Sequence, residues 1–108
     1  YITNAFLATK VSFANEMYEI CNGLGLDYDK VVEYAIYDKR LGSSHWAVPG
    51  PDGDFGFGGH CFPKDLSALL RLAEDLDTTD NVLSAVEQTN YKVRKNRDWE
   101  KMKGRAII

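Results

Sequence analysis

Between Lys39 and His60 the chain reads "KRLGSSHWAVPGPDGDFGFGGH", and neither helical nor alternating periodicity survives in it. Gly, Pro, Ser and Asp crowd the segment. A connection of about twenty residues without regular structure is unusual inside a compact domain and tends to carry function. It also divides the chain, because the segments on either side of it both read as helix. The segment therefore has to lie over a helical core as one long ordered loop.

The flanking segments define that core. Tyr1 to Leu24 is dense in good helix formers and holds no Gly or Pro before Gly23. Its apolar residues Ala5, Phe6, Phe13, Met17, Ile20, Cys21 and Leu24 spread over more than one face, which predicts a helix buried centrally or in an interface. Gly23 and Gly25 end it. Asp27 is the predicted cap of a second helix, "YDKVVEYAIYD", with Val31, Val32, Ala35 and Ile36 facing inward. After the loop, Pro63 is expected as the first residue of a third helix, where its missing N–H does no harm. Leu66, Leu69, Leu70 and Ala73 share one face of that helix. Thr78 and Thr79 are the predicted caps of a fourth helix from Asp80 to Met102, with Val82, Ala85, Val86, Thr89, Val93 and Trp99 as its apolar positions. Gly104 is expected to stop it, and "RAII" reads as the opening of a strand. The fold class is all-α: a multi-helical domain with a long first helix and one long Gly/Pro-rich loop.

Charge excludes several partners. Among 108 residues, 13 Lys and Arg stand against 16 Asp and Glu, a net charge of −3. That balance gives no case for nucleic acid or for an anionic membrane surface. The one basic cluster, "KVRKNRDWEKMKGR", is interleaved with Asp98 and Glu100 and reads as a solvated helix face. Two cysteines are too few for a disulfide framework, and the sequence shows no signal peptide, lipidation motif or membrane-length apolar run. A reducing, cytoplasmic setting is the expectation. The chain also begins mid-pattern, without an initiator methionine, and reads as a piece of something longer.

The loop delivers Cys61 to the start of a helix. Unpaired backbone N–H groups and the helix dipole stabilise negative charge there, and Lys64 adds a cation. Both favour the thiolate, which is the nucleophilic form. The glycines ahead of Cys61 are expected to let the backbone approach a ligand closely. Cys21, among apolar helix residues, reads as a small buried hydrophobe. Asp65 has a plain explanation too, since acids favour a first helical turn. Other motifs fail. Gly58 is followed by Gly59 and His60 rather than by the lysine of a phosphate loop. Gly56 and Gly58 are spaced for a dinucleotide fingerprint, but Cys61 stands where its third glycine belongs. Cys21, Cys61, His45 and His60 have no zinc-ligand spacing.

Three segments together, "TNAFLATKVSFANEM" (Thr3 to Met17), "DKRLG" (Asp38 to Gly42) and "GFGGHCFPKD" (Gly56 to Asp65), resemble the central domain of the UDP-glucose/GDP-mannose dehydrogenase family. The resemblance covers nearly the whole chain. It implies a helical fold of the 6-phosphogluconate dehydrogenase C-terminal-like type over residues 1–103, with residues 104–108 opening a nucleotide-sugar-binding domain. It implies an NAD-dependent oxidation of a nucleotide sugar, UDP-glucose to UDP-glucuronate, through a cysteine thiohemiacetal and thioester. GDP-mannose or a UDP-N-acetylhexosamine is the alternative substrate.

Carried onto this chain, the resemblance makes Cys61 the nucleophile and Asp65 the acid that assists water and proton movement. Asn4 becomes the oxyanion stabiliser, and Arg40 an arginine reaching the substrate across a homodimer built on the first helix. The backbone of Phe55, Gly56, Phe57 and Gly58 would cradle the sugar, with Phe62, Pro63 and Lys64 on the NAD side. Two departures stand out. The family's lysine, four residues before the asparagine, would fall ahead of Tyr1, and Lys10 is no substitute; solvent or a structural pair is its expected place. The loop is also longer than in shorter family versions. Lacking that lysine and an NAD fingerprint, the chain alone is not expected to turn over. Two other classes remain: a helical interaction module with an incidental cysteine, and a redox-sensing thiol.

Overall fold

The structure, a computed structural model, describes residues 1–102. Gly104 and "RAII", with the domain boundary expected there, lie outside the described residues. Within them all regular structure is helical. Helix α1 (Ile2–Leu24) is followed by α2 (Tyr28–Ala35), a short 3₁₀ helix (Lys39–Leu41), the loop, α3 (Cys61–Asp75), α4 (Asn81–Val93) and a 3₁₀ helix (Asp98–Met102). Helix α1 is the spine: α3 and α4 pack along it and against each other, and α2 folds back onto it.

Helix α1 packs through its small residues. Ala5, Ala8, Ser12, Ala14, Asn15 and Cys21 are buried, whereas Phe6, Phe13, Ile20 and Leu24 stay half-exposed or more. Short side chains at the contact let neighbouring helices approach closely. Of its larger residues, Val11, Met17 and Tyr18 lean on the core, whereas Phe6, Ile20 and Leu24 face out. The helix stops at Gly25, where φ is +70°. The Gly25 N–H bonds the Asn22 carbonyl and the Leu26 N–H bonds that of Cys21, the paired pattern of a Schellman stop.

Two later helices are shorter than the sequence predicts. Asp27 does cap α2, accepting from the Asp29 N–H at 3.0 Å. The helix ends at Ala35, because Asp38 instead caps the first 3₁₀ helix through the Arg40 N–H. Val31 and Ala35, expected inward, are exposed, since this short helix packs through Tyr28 and Val32 instead. Helix α4 ends at Val93, nine residues short of Met102. Arg94 turns extended there and buries its side chain against the loop, so the basic cluster is not one solvated helix face. Neither Thr78 nor Thr79 caps α4; Asp80 holds that position, without a side-chain bond. Thr78 instead donates to the Ala73 carbonyl at the end of α3.

The loop is ordered because it supplies both halves of the core. Phe57 joins Ala8, Leu66 and Val86 in one cluster, with Phe62 packed against them. Val48 joins Ala14, Cys21 and Tyr28 in the other, with Trp46 and Phe55 alongside. Burying each such large side chain stabilises by about 1.5–3 kcal/mol. Cys21 is thus the buried hydrophobe the sequence suggested. The Tyr28 hydroxyl donates to the Trp46 carbonyl at 2.6 Å, and burial, aided by Asp29 and Cys21, pushes its pKa up to about 12.

Candidate active site

Helix α3 begins at Cys61 itself, two residues before the expected start at Pro63. A proline at the third position is tolerated because no N–H of the first turn has an intrahelical partner. Cys61 therefore lies within the first turn, as a free and exposed thiol. Asp65 follows at i+4, so the two side chains share one side of the helix, one turn apart.

Asp65 is buried, and its two oxygens differ. Oδ2 accepts a 2.7 Å hydrogen bond from the Asn4 amide. Oδ1 lies 3.3 Å from the Lys64 ammonium, close enough for attraction, but is buried with no hydrogen-bond partner. The Asn4 bond, chiefly, holds the carboxyl below the usual carboxylate range; burial opposes it, and Lys64 helps. The result is a charged, buried carboxylate whose Oδ1 is paired with the Lys64 ammonium without a hydrogen bond of good geometry.

The loop before Cys61 is clamped through its backbone. Asn15 accepts from the Gly56 N–H at 3.2 Å. Asn90 accepts from the Phe57 N–H at 2.8 Å and donates to the Phe57 carbonyl at 2.9 Å. Asp98 accepts from the Gly59 N–H at 2.9 and 3.1 Å. These contacts give two of the glycines a structural role. A Cβ on Gly56, where φ is +68°, would overlap the Asn90 amide, and one on Gly58 would overlap the Arg94 guanidinium and the Asp98 carboxylate. Both make room for the protein's own side chains.

A cavity of about 420 Å³ opens on the other side of this loop, lined among others by His45, Gly50, Gly56, Phe57, Phe62 and Arg94. Phe62 thus shares a cavity with Gly56, Phe57 and Gly58. Phe55 does not line it: its ring packs 5.8 Å from Tyr18 in the second core cluster. Pro63 is buried, and Lys64 stays beside Asp65. Arg40 stands apart on the 3₁₀ helix, exposed, with Nη2 2.6 Å from its neighbour Asp38, whose carboxyl it holds low. Lys10 forms the structural pair expected of it, donating to the Leu41 carbonyl at 2.8 Å beneath the Trp46 ring.

Comparison with known proteins agrees with the resemblance. The family model for the UDP-glucose/GDP-mannose dehydrogenase family, central domain, matches residues 1–92. The chain belongs to this family. It is 42% identical over 94 residues to UDP-glucose 6-dehydrogenase TuaD of Bacillus subtilis, covering 87% of this chain and 19% of that protein. It is 45% identical over 92 residues to a UDP-glucose 6-dehydrogenase of Pseudomonas aeruginosa, covering 85% and 19%. A UDP-glucose 6-dehydrogenase of Rhizobium meliloti is 37% identical over 108 residues, covering all of this chain and 22% of that protein. The chain spans about a fifth of the length of these relatives.

The family match takes in Asn4, Arg40, the loop, the Cys61–Asp65 turn and the clamping residues Asn15 and Asn90, but stops before Arg94 and Asp98. Sequence reasoning missed all four clamping residues. Asn15 and Asn90 did leave a signal, since asparagine is unfavourable inside a helix unless its amide has work there. Arg94 and Asp98 left none, being hidden among alternating charges.

Proposed function

We propose that this chain is the central domain of an NAD-dependent nucleotide-sugar 6-dehydrogenase that oxidises UDP-glucose to UDP-glucuronate, with Cys61 as its nucleophile. One observation carries the reading: an exposed thiol in the first turn of α3, one turn from a buried, charged carboxylate held by Asn4 and Lys64. The names of the relatives supply the substrate.

The chemistry divides among a few residues. Oxidation at C6 turns the primary alcohol into an aldehyde, with loss of a hydride and a proton. The Cys61 sulfur adds to the aldehyde carbon; a C–S bond forms, the carbonyl π bond breaks, and the oxygen takes a proton to give a thiohemiacetal. Loss of a second hydride and the hydroxyl proton leaves a thioester. Water then attacks the acyl carbon, the C–S bond breaks, and the thiolate leaves the carboxylate product. Asp65 is the acceptor for a proton from that water. Asn4 has two amide hydrogens and spends one on Asp65, so the other can donate to oxygen as it gains charge. NAD, when bound, accepts the hydride in each oxidation. Of the residues assigned to its side, Pro63 is buried and Lys64 is engaged with Asp65, which leaves the Phe62 ring as one edge of such a site. The described residues contain no strand–turn–helix dinucleotide fold, so NAD would be held mainly by another domain.

Arg40, exposed on its 3₁₀ helix, is suited to reach a substrate held by a second protomer. A homodimer through α1 would cover Phe6, Ile20 and the groove of about 330 Å³ between α1 and α4. No helix among the described residues is long and apolar enough to cross a membrane. The deciding experiment counts NADH formed per UDP-glucose in the full-length protein, beside Cys61→Ser. Two per sugar, with the variant stalled before the second, is the expected result. Turnover of another nucleotide sugar instead would correct the substrate alone. A folded dimer that turns over none would leave the apolar α1 face as the mark of an interaction module.

A further inference from the structure

The proposed chemistry leaves one buried cation without a part. The Arg94 side chain is 1% exposed, with its Nη2 2.7 Å from Asp52 and 3.8 Å from Asp98, and its Nε 3.6 Å from Asp54. Nε also donates to the Asn96 carbonyl at 2.6 Å. A guanidinium is buried this deeply only where carboxylates and carbonyls satisfy it. Two of its carboxylates, Asp52 and Asp54, come from the extended part of the loop. Asp54 is itself fixed: burial pushes its carboxyl up, but N–H bonds from Asn96, Phe55 and Lys95, with Arg94, outweigh that and hold it low.

The third carboxylate faces the other way. Asp98, steadied by Arg94, takes the Gly59 N–H on both oxygens. Gly59 stands two residues before Cys61, at φ +80° with open space around it. Neither Gly58 nor Gly59 has a side chain of its own to hold its backbone, and glycine has more backbone freedom to lose than any other residue. The bond to Asp98 is therefore what fixes the peptide that leads into α3.

We infer that Arg94 and Asp98 are a pair of positioning residues that set the Gly58–Gly59 backbone and, through it, the pose of the Cys61 thiol. Neither touches the reacting atoms. The inference rests on Cys61 being the nucleophile, so the test separates the two. Asp98→Asn and Asp98→Ala have the same charge, but only asparagine keeps an oxygen for the Gly59 N–H. In the full-length protein, Asp98→Ala should lose about 10- to 100-fold in kcat with KM for UDP-glucose within about threefold, as expected of a small misplacement of a reacting group. Asp98→Asn should recover most of that loss. Equal kcat in the two variants, whether at the wild-type level or below it, would overturn the positioning role. A wild-type protein that oxidises no nucleotide sugar would overturn the enzyme reading instead. The rate of Cys61 alkylation by iodoacetamide then decides: a difference beyond about threefold between the variants supports positioning, and equal rates overturn it.

Discussion

Asn4, near the start of α1, donates a 2.7 Å hydrogen bond to Oδ2 of Asp65 in α3, sixty-one positions along the chain. This bond ties the two helices together beside the thiol and keeps Asp65 charged. Hydrogen bonds to charged groups contribute about 1.5–3 kcal/mol, so Asn4→Ala should destabilise by about that much at neutral pH. The sign of its pH dependence comes from the lowered pKa. Asp65 contributes stability above the ordinary value of 3.8, and the contribution fades as pH falls through the lower folded value. The wild-type advantage over Asn4→Ala should therefore be largest above about pH 5 and shrink below about pH 4. Urea unfolding of both proteins from pH 6 to pH 3 measures it. A gap constant across that range would mean that the bond does not favour the charged carboxylate.

Glycines in the loop should differ in what they tolerate. Gly58→Ala puts a methyl group into Arg94 and Asp98, while Gly53→Ala meets open space at φ +81°. The first combines overpacking with a disturbed buried charge and should destabilise by about 3 kcal/mol or more. The second adds only left-handed backbone strain, about 1–2 kcal/mol. Equal losses in thermal unfolding of the two variants would show that Gly58 is present for flexibility alone.

The part of this molecule that could be read from its sequence is the part governed by local rules. Four helices, the Gly25 stop, the Asp27 cap and the burial of Cys21 come from propensity, capping and apolar spacing. The Gly-rich approach likewise leads to an exposed Cys61 at a helix start. The failures are local ambiguities or tertiary effects. Pro63 does not open α3, because a first turn accepts proline at more than one position. Helix α4 stops at Val93, because Arg94 gains more from the loop's carboxylates than from another helical turn. The structural role of Gly56 and Gly58 is not legible either, since nothing local reveals that Asn90 and Arg94 come to occupy the space beside them.

Asn90 should prove as important to the loop as any residue within it. It is 3% exposed and holds both the N–H and the carbonyl of Phe57, much as a neighbouring strand would. Asn90→Ala leaves two buried backbone groups unpaired, each costing about 1–3 kcal/mol. Asn90→Asp keeps the acceptor for the N–H but faces the carbonyl with a second acceptor. Both variants should lower stability, and amide exchange at Phe57 should accelerate far more in the alanine variant than in the aspartate one. Exchange that stays slow in Asn90→Ala would show that packing of the Phe57 ring, and not the amide clamp, orders the loop.

The outer face of α1 leads to the last prediction. Phe6, Phe13 and Ile20 recur every seven residues, which places them in one slowly drifting stripe along the helix. Phe6 is 64% exposed and Ile20 54% exposed, although each would contribute about 1.5–3 kcal/mol if fully buried. Phe13 already leans on Trp46, so Phe6 and Ile20 are the cleaner positions to change. In a two-fold dimer each substitution acts twice, once from each protomer. Phe6→Glu with Ile20→Glu should therefore weaken a dimer of the full-length protein by at least about 100-fold in Kd, allowing about 1.4 kcal/mol per tenfold. Helix content should be unchanged, because neither side chain supports the fold of one protomer. Sedimentation velocity across protein concentrations reads the mass. A dimer that survives both changes would place the contact on another face and leave this stripe without a partner.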